Sequence, residues 1–404
     1  MRFVRRILKD EEGASVIMIA VAIVMVFGFA VVAIDMSLIQ LAKTQLQNAA
    51  DAGALAGALM LATTSGSQED KEAAATAEAI RVCSLNVALQ EIDRSVVITP
   101  DKVTFPQPTL VRVTTGTGDY VTTYFLKVLD PLLTNQEEIT ATAMAGVEKI
   151  CGTDCLKPFC PPDRWDDVDS NGIWTPDDEY DDVNASGGWE PGEPLTMDWN
   201  ENGVWDPAEF YDPELTGYKA PDDIGDTVTF RLQAATASLG MFWYYTVCFG
   251  PINTGDPVYT GTVSVVRWIS GECEPFIVSL GDLLQVEPGN FANPTSNALD
   301  ELWDLDPDAY WDDATGTVMG SLYGDNSPRI IKAPAFDPTL GLQTDLNGRK
   351  YLTISNILVL FLDERHQFVS GELLLNGRFI TTITEGVTDP DCPGGFMSAV
   401  VLVE

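Results

Sequence analysis

Apolar positions along this chain follow three successive patterns. From Ala14 to Ile34 they are continuous: 21 uncharged, mostly apolar residues lie between Glu12-Gly13 and Asp35. At about 1.5 Å per residue, the run predicts a helix that crosses a hydrocarbon core of roughly 30 Å. Arg2, Arg5, Arg6 and Lys9 precede it, and only Lys43 follows before Lys71. That asymmetry predicts a cytoplasmic leader over 1–13 and the bulk of the chain across the membrane. A cleaved secretory signal is the competing reading, but such signals carry an apolar core of about 7–15 residues and then a small-x-small break. No break follows here.

Beyond Asp35 the pattern turns helical. Met36 to Ala62 lack proline, and Ile34, Leu38, Leu41, Ala42, Ala49, Ala52, Ala56 and Leu59 fall near one face. Ala49, Gly53 and Gly57 sit four apart, a small-residue stripe that lets another helix approach closely. A partner helix and the protein's own globular part fit that stripe equally well. Ser65 to Asp70 reads as a polar turn and Lys71 to Leu89 as a second helix. Ser95–Thr99, Thr109–Thr115 and Glu138–Val147 read as strands, with a short helix over Val121–Val128.

Past Glu148 the pattern becomes acidic loops and then β-rich runs: Asp226–Gln233, Phe242–Phe249, Thr262–Ile269, Tyr351–Leu362 and Met397–Val403. Turn residues separate them, which predicts an antiparallel β-sandwich. The fold class is therefore α+β. Ile357 to Leu362 is long enough for a buried strand and too short for a second membrane span.

Composition narrows the function. The 60 acidic residues against 23 basic ones give a formal charge of −37, which excludes nucleic acid as a partner. His366 is the single histidine, read as a surface residue, and no P-loop, Gly-x-Ser-x-Gly elbow or His-Glu-x-x-His occurs. The chain is read as non-enzymatic. Asp304, Asp306, Asp308, Asp312 and Asp313, with Trp303, Tyr310 and Trp311, are open to three readings: a metal site, a sugar-binding surface or an exposed loop. Beyond the membrane, Cys151, Cys155, Cys160, Cys248, Cys273 and Cys392 face an oxidising compartment and favour disulfides, with 15 possible pairings. Cys83 is left over as a buried thiol.

Between Asp163 and Glu214 there are 17 acidic residues and one base, Arg164. A twelve-residue pattern occurs there three times. Its candidate ligands are Asp167, Asp169, Asn171, Ile173, Thr175 and Asp178; then Asp182, Asn184, Ser186, Gly188, Glu190 and Glu193; then Asp198, Asn200, Asn202, Val204, Asp206 and Glu209. Oxygens at positions 1, 3, 5, 9 and 12, a carbonyl at 7 and glycine at 6 are what a Ca²⁺ loop requires. Trp174, Trp189 and Trp205 recur at position 8, and Pro176, Pro191 and Pro207 at position 10. Starts are 15 and 16 residues apart, too close for flanking helices, so these are EF-hand-type loops without the EF-hand fold. The tryptophans are expected to pack together as a small calcium-ordered core. A solvated acidic linker is the alternative.

The N-terminal segment resembles a known family. An apolar run after a basic leader, Asp35, Lys43 and then Leu46-Gln47-Asn48-Ala49-Ala50-Asp51-Ala52-Gly53-Ala54-Leu55-Ala56-Gly57-Ala58 are similar to TadG-like proteins of Tad (tight-adherence, Flp) pilus assembly. The similarity extends loosely over Val96 to Val147. Gly13 before the apolar run resembles a prepilin leader, although Met18 stands where type IV pilins carry glutamate. No Asp-x-Ser-x-Ser motif of a von Willebrand A-type domain occurs. The resemblance implies a single-pass bacterial inner-membrane protein of pilus assembly, bulk in the periplasm or at the cell surface. Its partners would be the bilayer through 14–34, and other Tad proteins or pilin helices through the Ala49/Gly53/Gly57 face. The expected organisation is the leader, the anchor, a pilin-like α+β module over 35–150, Cys-rich acidic calcium loops over 151–215 and a sandwich-like β domain over 216–404. A membrane-anchored hydrolase with structural calcium and an S-layer-like surface protein are the alternative functions.

Overall fold

The computed structural model describes residues 11–404 except 65, 87–95, 97, 118–138, 169, 171, 175–178, 184, 187–188, 198–204, 206–208, 233–239, 251–260, 272–275, 289–290, 370–371, 390 and 404. The helix expected over Val121–Val128 lies outside the described residues. Two compact units divide the chain: residues 1–147 with 400–404, and residues 148–399. The acidic and β-rich segments, read as successive regions in the sequence, share the second unit.

In the first unit a single helix α1 (Glu11–Thr63) carries both the apolar run and its amphipathic continuation. Its 53 residues span about 80 Å, and no proline or glycine pair interrupts the hydrogen-bond ladder. Helix α2 (Gln68–Ser84) begins three residues earlier than expected, because Ser67 and Asp70 form a reciprocal capping box. Strands β1 (Val103–Gln107), β2 (Leu110–Gly116) and β3 (Thr140–Thr153) pair antiparallel in that order. The core is built from small residues: Ala50, Ala54 and Ala58 of α1, Ala75, Ala79 and Cys83 of α2, and Val111 and Val113 of β2. The Leu46 backbone carbonyl accepts from the buried Thr115 hydroxyl at 2.9 Å, which ties the sheet to the helix backbone.

The second unit contains β4 (Phe159–Cys160), β5 (Glu179–Tyr180), β6 (Leu195–Met197), β7 (Thr227–Leu232), β8 (Trp243–Cys248), α3 (Thr262–Ile269), β9 (Val278–Ser279) and β10 (Leu283–Val286). It continues through α4 (Ala292–Leu305), β11 (Tyr310–Asp312), β12 (Thr317–Met319), β13 (Ile330–Phe336), β14 (Gln343–Thr344) and β15 (Lys350–Phe361). The final strands are β16 (Gln367–Val369), β17 (Glu372–Phe379), β18 (Thr382–Ile383), β19 (Val387–Thr388) and β20 (Met397–Val403), whose residues from Val400 onward belong to the first unit.

The strands depart from an antiparallel sandwich in two ways. Strands β7 and β8 of a nine-stranded sheet are parallel, as are β18 and β20 of a separate seven-stranded sheet. The pairing path β15–β10–β8–β7–β17 also closes on itself, because the far end of β15 pairs β17 at Leu360↔Phe379. A long central strand makes this possible: β15 is buried on both faces from Ile357 onward, as a continuous apolar run requires.

Thr262–Ile269 was expected as a strand from its valines and is a helix. Val265, Trp268 and Ile269 are buried at helical spacing while Val263 is exposed, so burial follows period 3.6 and overrides β-branching. Lys157 Nζ caps that helix, donating to the carbonyls of Trp268 and Ile269 at 2.8 and 3.0 Å. Burial, with Lys332 nearby, brings the Lys157 ammonium down to about 8.

Cys151 and Cys392 form a disulfide across 241 residues of the second unit, and Cys155 is also disulfide-bonded. Cys160 and Cys248 are instead buried thiols, against expectation. Cys248 lies 2.7 Å from Glu287 Oε2, and burial pushes its thiol well up. Cys83 is a buried thiol as expected, 3.2 Å from the Ala49 carbonyl and pushed up to about 11 by burial.

Candidate functional site

Two regions carry the features singled out in the sequence: α1, and the acidic excursion between Asp163 and Tyr218. In α1 the window of highest hydropathy is wholly exposed, and this is one helix long and apolar enough to cross a membrane. Val16, Phe27 and Phe29 are each about two-thirds exposed or more. Asp35, at the outer end of the apolar run, is fully buried.

The small-residue stripe beyond it is occupied by the protein itself. A Cβ on Gly53 would lie 2.2 Å from Cys83 Sγ and 3.2 Å from the Ala79 carbonyl. One on Gly57 would lie 3.1 Å from Val111 and 3.4 Å from the Ala75 carbonyl. Ala49 is fully buried as well. The Ala49/Gly53/Gly57 face therefore packs within the first unit, which corrects its reading as a partner-binding face. Glycine is needed because α2 and β2 close onto the α1 backbone.

The acidic excursion is pinned at its base. Asp163 is fully buried and accepts from the backbone N–H of Tyr218 and Arg164, from the Tyr211 hydroxyl and from the Asn356 amide. Burial pushes its carboxyl up to about 6, and these donors oppose the shift. Asp166 and Phe210 form a β-bridge one step inward. Arg164 pairs with Asp223 and lies 5.2 Å over the Tyr218 ring. The two ends of the excursion thus meet at one neck, and the first repeat is attached again further out, where the Met241 N–H donates to the Gly172 carbonyl and Ile173 bridges Gly240. A Cβ on Gly217 would meet Asp163 Oδ2 at 2.6 Å, so this neck has no spare volume.

Within the excursion the first two repeats share a turn. The position-4 N–H donates to the position-1 carbonyl in both, Ser170 to Asp167 at 3.3 Å and Ala185 to Asp182 at 3.4 Å. The side-chain bonds differ, Asp167 Oδ2 accepting from the N–H of Gly172 at position 6 and Asp182 Oδ1 from that of Ser186 at position 5. The residue at position 4 is left-handed in both, Ser170 at φ +59 and Ala185 at φ +61. A non-glycine residue there costs roughly 1–2 kcal/mol, so the surrounding loop must impose it. The same backbone at the same position of two repeats follows from their shared Asp-x-(Asp/Asn)-x pattern. In the second repeat Glu193 Oε2 accepts from the Glu190 N–H at 3.0 Å, joining positions 12 and 9. Glu193 Oε1 is buried without a hydrogen-bond partner. Strands β5 and β6 form a short hairpin around this repeat.

Of the eighteen candidate ligands, Asp167, Ile173, Asp182, Ser186, Glu190, Glu193 and Glu209 are described. Asp169, Asn171, Thr175, Asp178, Asn184, Gly188, Asp198, Asn200, Asn202, Val204 and Asp206 lie outside the described residues. Among the described residues no group of three or more His, Cys, Asp or Glu side chains could hold a metal ion. Nor do the tryptophans form one core. Trp189 and Trp205 stack at 6.0 Å with Tyr180 edge-on to Trp205, whereas Trp174 packs edge-on against the buried Trp165 at 5.6 Å.

The second acidic cluster is organised differently. Asp306 is fully buried and accepts from the Ser321 and Ser327 hydroxyls, both at 2.6 Å, and from the Leu322 N–H. Arg329, 1% exposed, donates five hydrogen bonds to the carbonyls of Asp306, Ala309, Leu362 and Asp363. Its guanidinium lies 3.6 Å over Trp303 and 4.7 Å over Phe361. Asp304 and Asp313 pair with Arg365 and Arg378. Sequence reasoning named the aspartates but not the role of Arg329; its place as the first cation after Arg267 was the available signal. His366, expected at the surface, is half-buried with Nε2 2.7 Å from Ser296 Oγ, and burial lowers its pKa.

Comparison with known proteins is confined to the N-terminus. Residues 13–62 match the family model described as putative Flp pilus-assembly TadE/G-like. No curated protein matches, and no solved structure matches. The matched residues cover the exposed apolar half of α1 and almost all of its buried small-residue half. Through this helix the chain carries the N-terminal signature of TadE/G-like proteins of Flp pilus assembly.

Proposed function

We propose that this protein is a non-enzymatic, membrane-anchored component of Tad/Flp-type pilus assembly or surface adhesion. Residues 14–34 lie in the bacterial inner membrane, the leader is cytoplasmic, and the rest of the first unit and all of the second are extracytoplasmic. The observation that carries the reading is the continuity of α1. One uninterrupted helix joins an exposed apolar segment of membrane-spanning length to a segment built into a folded unit, and the TadE/G-like match covers both. Such a helix fixes the first unit close to the membrane, where assembly proteins of the same machinery would meet it. Those partners would bind through surfaces other than the Ala49/Gly53/Gly57 stripe. Deleting the gene should abolish pili while leaving the other Tad components in place, and protease added to spheroplasts should digest the chain beyond about Asp35. Normal piliation of the deletion strain, or a protease-resistant cytosolic C-terminal part, would reject it.

Calcium is the second element of the proposal. The three repeats would each hold one Ca²⁺ through the ligands named above, and the ion would neutralise carboxylates that otherwise repel one another. Support comes from the matching backbone turns after Asp167 and Asp182, each with a left-handed residue at position 4, and from the buried, unpartnered Glu193 Oε1 at the position where a loop of this kind supplies its bidentate carboxylate. Extracellular modules of this kind bind at about 10⁻⁴–10⁻³ M, a range suited to a compartment with millimolar calcium. Titrating calcium into the purified protein should raise heat in calorimetry and shift tryptophan emission to the blue. No uptake at millimolar calcium would make the excursion a solvated acidic loop.

A further inference from the structure

The segment between Asp306 and Arg329 projects the β11–β12 hairpin on a rigid base, and the two faces of that hairpin differ. Register pairs Tyr310 with Met319, Trp311 with Val318 and Asp312 with Thr317. Trp311 and Val318 are half-buried; the Trp311 ring lies 5.5 Å from the Arg378 guanidinium and covers Gly225. Alternation therefore turns Tyr310 and Met319 outward together, and they are 54% and 43% exposed. Gly320, at φ +74, brings the turn onto them: a Cβ there would lie 3.2 Å from the Tyr310 ring and 2.5 Å from the Asp308 carbonyl. Leu322, 80% exposed, is fixed next to this turn by its N–H to Asp306. Large apolar side chains held outward on a scaffold with a buried Arg are not a loose loop.

Charge says what covers them. No Lys or Arg occurs from residue 268 to 328. The nearby cations Arg329, Arg365 and Arg378 are committed to the scaffold and to Asp304, Asp313 and Asp363. Asp308, Asp312 and Asp325 have no cation partner among the described residues. An apolar face rimmed by unneutralised carboxylates rejects a second copy of this strongly acidic chain. It also rejects an anionic lipid surface.

We propose that the outer face of the β11–β12 hairpin docks a polypeptide segment that combines lysine or arginine with aliphatic side chains. Aliphatic groups cover Tyr310, Met319 and Leu322, while the cations pair with Asp308, Asp312 and Asp325; an arginine also finds the Tyr310 ring. This docking does not depend on calcium or on the pilus assignment.

The test uses the full-length protein in nanodiscs of zwitterionic lipid, with empty nanodiscs subtracted, and a labelled peptide of alternating Lys and Leu read by fluorescence anisotropy. The wild type should bind it with an affinity that falls as salt rises. Tyr310→Ser combined with Leu322→Ser, both exposed, should weaken binding at least about ten-fold, as loss of central anchors does, with an unchanged melting temperature. Asp308→Asn, Asp312→Asn and Asp325→Asn together should weaken it and flatten the salt dependence. The same charge removed elsewhere, by Asp101→Asn, Glu385→Gln and Asp391→Asn, should leave it within two-fold. Equal weakening by that distant set would show attraction by bulk charge and overturn the proposal. So would undiminished binding by the Tyr310/Leu322 variant, equal binding of a Lys–Ser peptide, or Tyr310-dependent binding of neutral oligosaccharides in place of the peptide.

Discussion

Residues 163–218 and 303–329 have the same composition to the eye, aspartates interleaved with tryptophan and tyrosine, and they are held together by opposite means. The second contains its own counter-charge. Arg329 is buried between Trp303 and Phe361, spends its donors on backbone carbonyls, and leaves Asp306 to gather Ser321, Ser327 and Leu322. The first has one base, Arg164, and it sits in the neck rather than among the loops. Carboxylates repel at short range unless a cation or several donors face them. The lesson is that an acidic, aromatic stretch needs a cation from somewhere. Whether the chain supplies it decides whether the stretch is self-sufficient or depends on an added ion.

The sharpest break of this contrast is Arg329→Met. It removes five hydrogen bonds and leaves the Asp306 carboxylate buried without its neighbouring cation. The expected loss is about 3–5 kcal/mol, chiefly from the buried carbonyls of Asp306, Ala309 and Leu362 left without this donor at about 1–3 kcal/mol each, and added calcium should restore none of it. Urea denaturation followed by tryptophan emission measures both.

Asp163→Ala comes next. It removes the acceptor of the Tyr211 hydroxyl and the Tyr218 N–H, and one acceptor of the Asn356 amide, in a closed neck, for which about 2–3 kcal/mol is expected. Because Asn356 also donates to the Tyr218 carbonyl at 2.7 Å, its amide keeps one bond and the loss stays below that of Arg329→Met. Limited proteolysis should show new cuts near both ends of the excursion and none near 303–329. Cuts appearing first in 303–329 would mean the two regions are not independent.

Removing calcium should act on the first region alone. At ten-fold excess over Kd, each bound ion stabilises its loop by about 1.4 kcal/mol, so chelation should expose 167–209 to protease while 303–329 stays intact. Alanine at Asp167, Asp182 and Asp198 should make the wild-type pattern insensitive to chelator. Equal sensitivity of both regions to chelator would end the contrast.

The smallest effects concern pH, and they have opposite signs. His366 titrates below its ordinary value because burial disfavours its cation. The folded state therefore prefers the neutral ring, and its contribution is full above about 6.5 and lost as pH falls. Asp163 is raised to about 6, so its contribution is full below about 4 and lost as pH rises through 6. His366→Gln should flatten the acid side of a stability profile, and Asp163→Asn should flatten the decline in stability between pH 4 and 7. Matching slope changes from both would contradict these burial effects.

Much of the first unit was legible in the sequence, because its signals are local. The Ser67–Asp70 cap is local, although its residues read in the sequence as part of a polar turn. An apolar run of membrane length and its proline-free continuation likewise each act within a few residues along one helix. The same holds for the glycines at 53 and 57: their spacing announced a close approach, since only a missing Cβ permits one. What filled the stripe was decided by tertiary structure, because α2 and β2 lie elsewhere in the sequence and reach Gly53 only after the chain has turned back. The acidic repeat announced a shared turn through Asp167 and Asp182. It did not announce the neck at Asp163, whose partners Tyr211, Tyr218 and Asn356 come from 48 to 193 residues away. Thr262–Ile269 misled because valine favours a strand on its own, while burial of Val265, Trp268 and Ile269 on one side chose a helix. Arg329 was one letter among 404 until Trp303, Phe361 and Leu362 surrounded it. Local hydrogen bonding and periodicity are written along the chain; which distant group neutralises a buried charge is fixed only when the chain has closed around it.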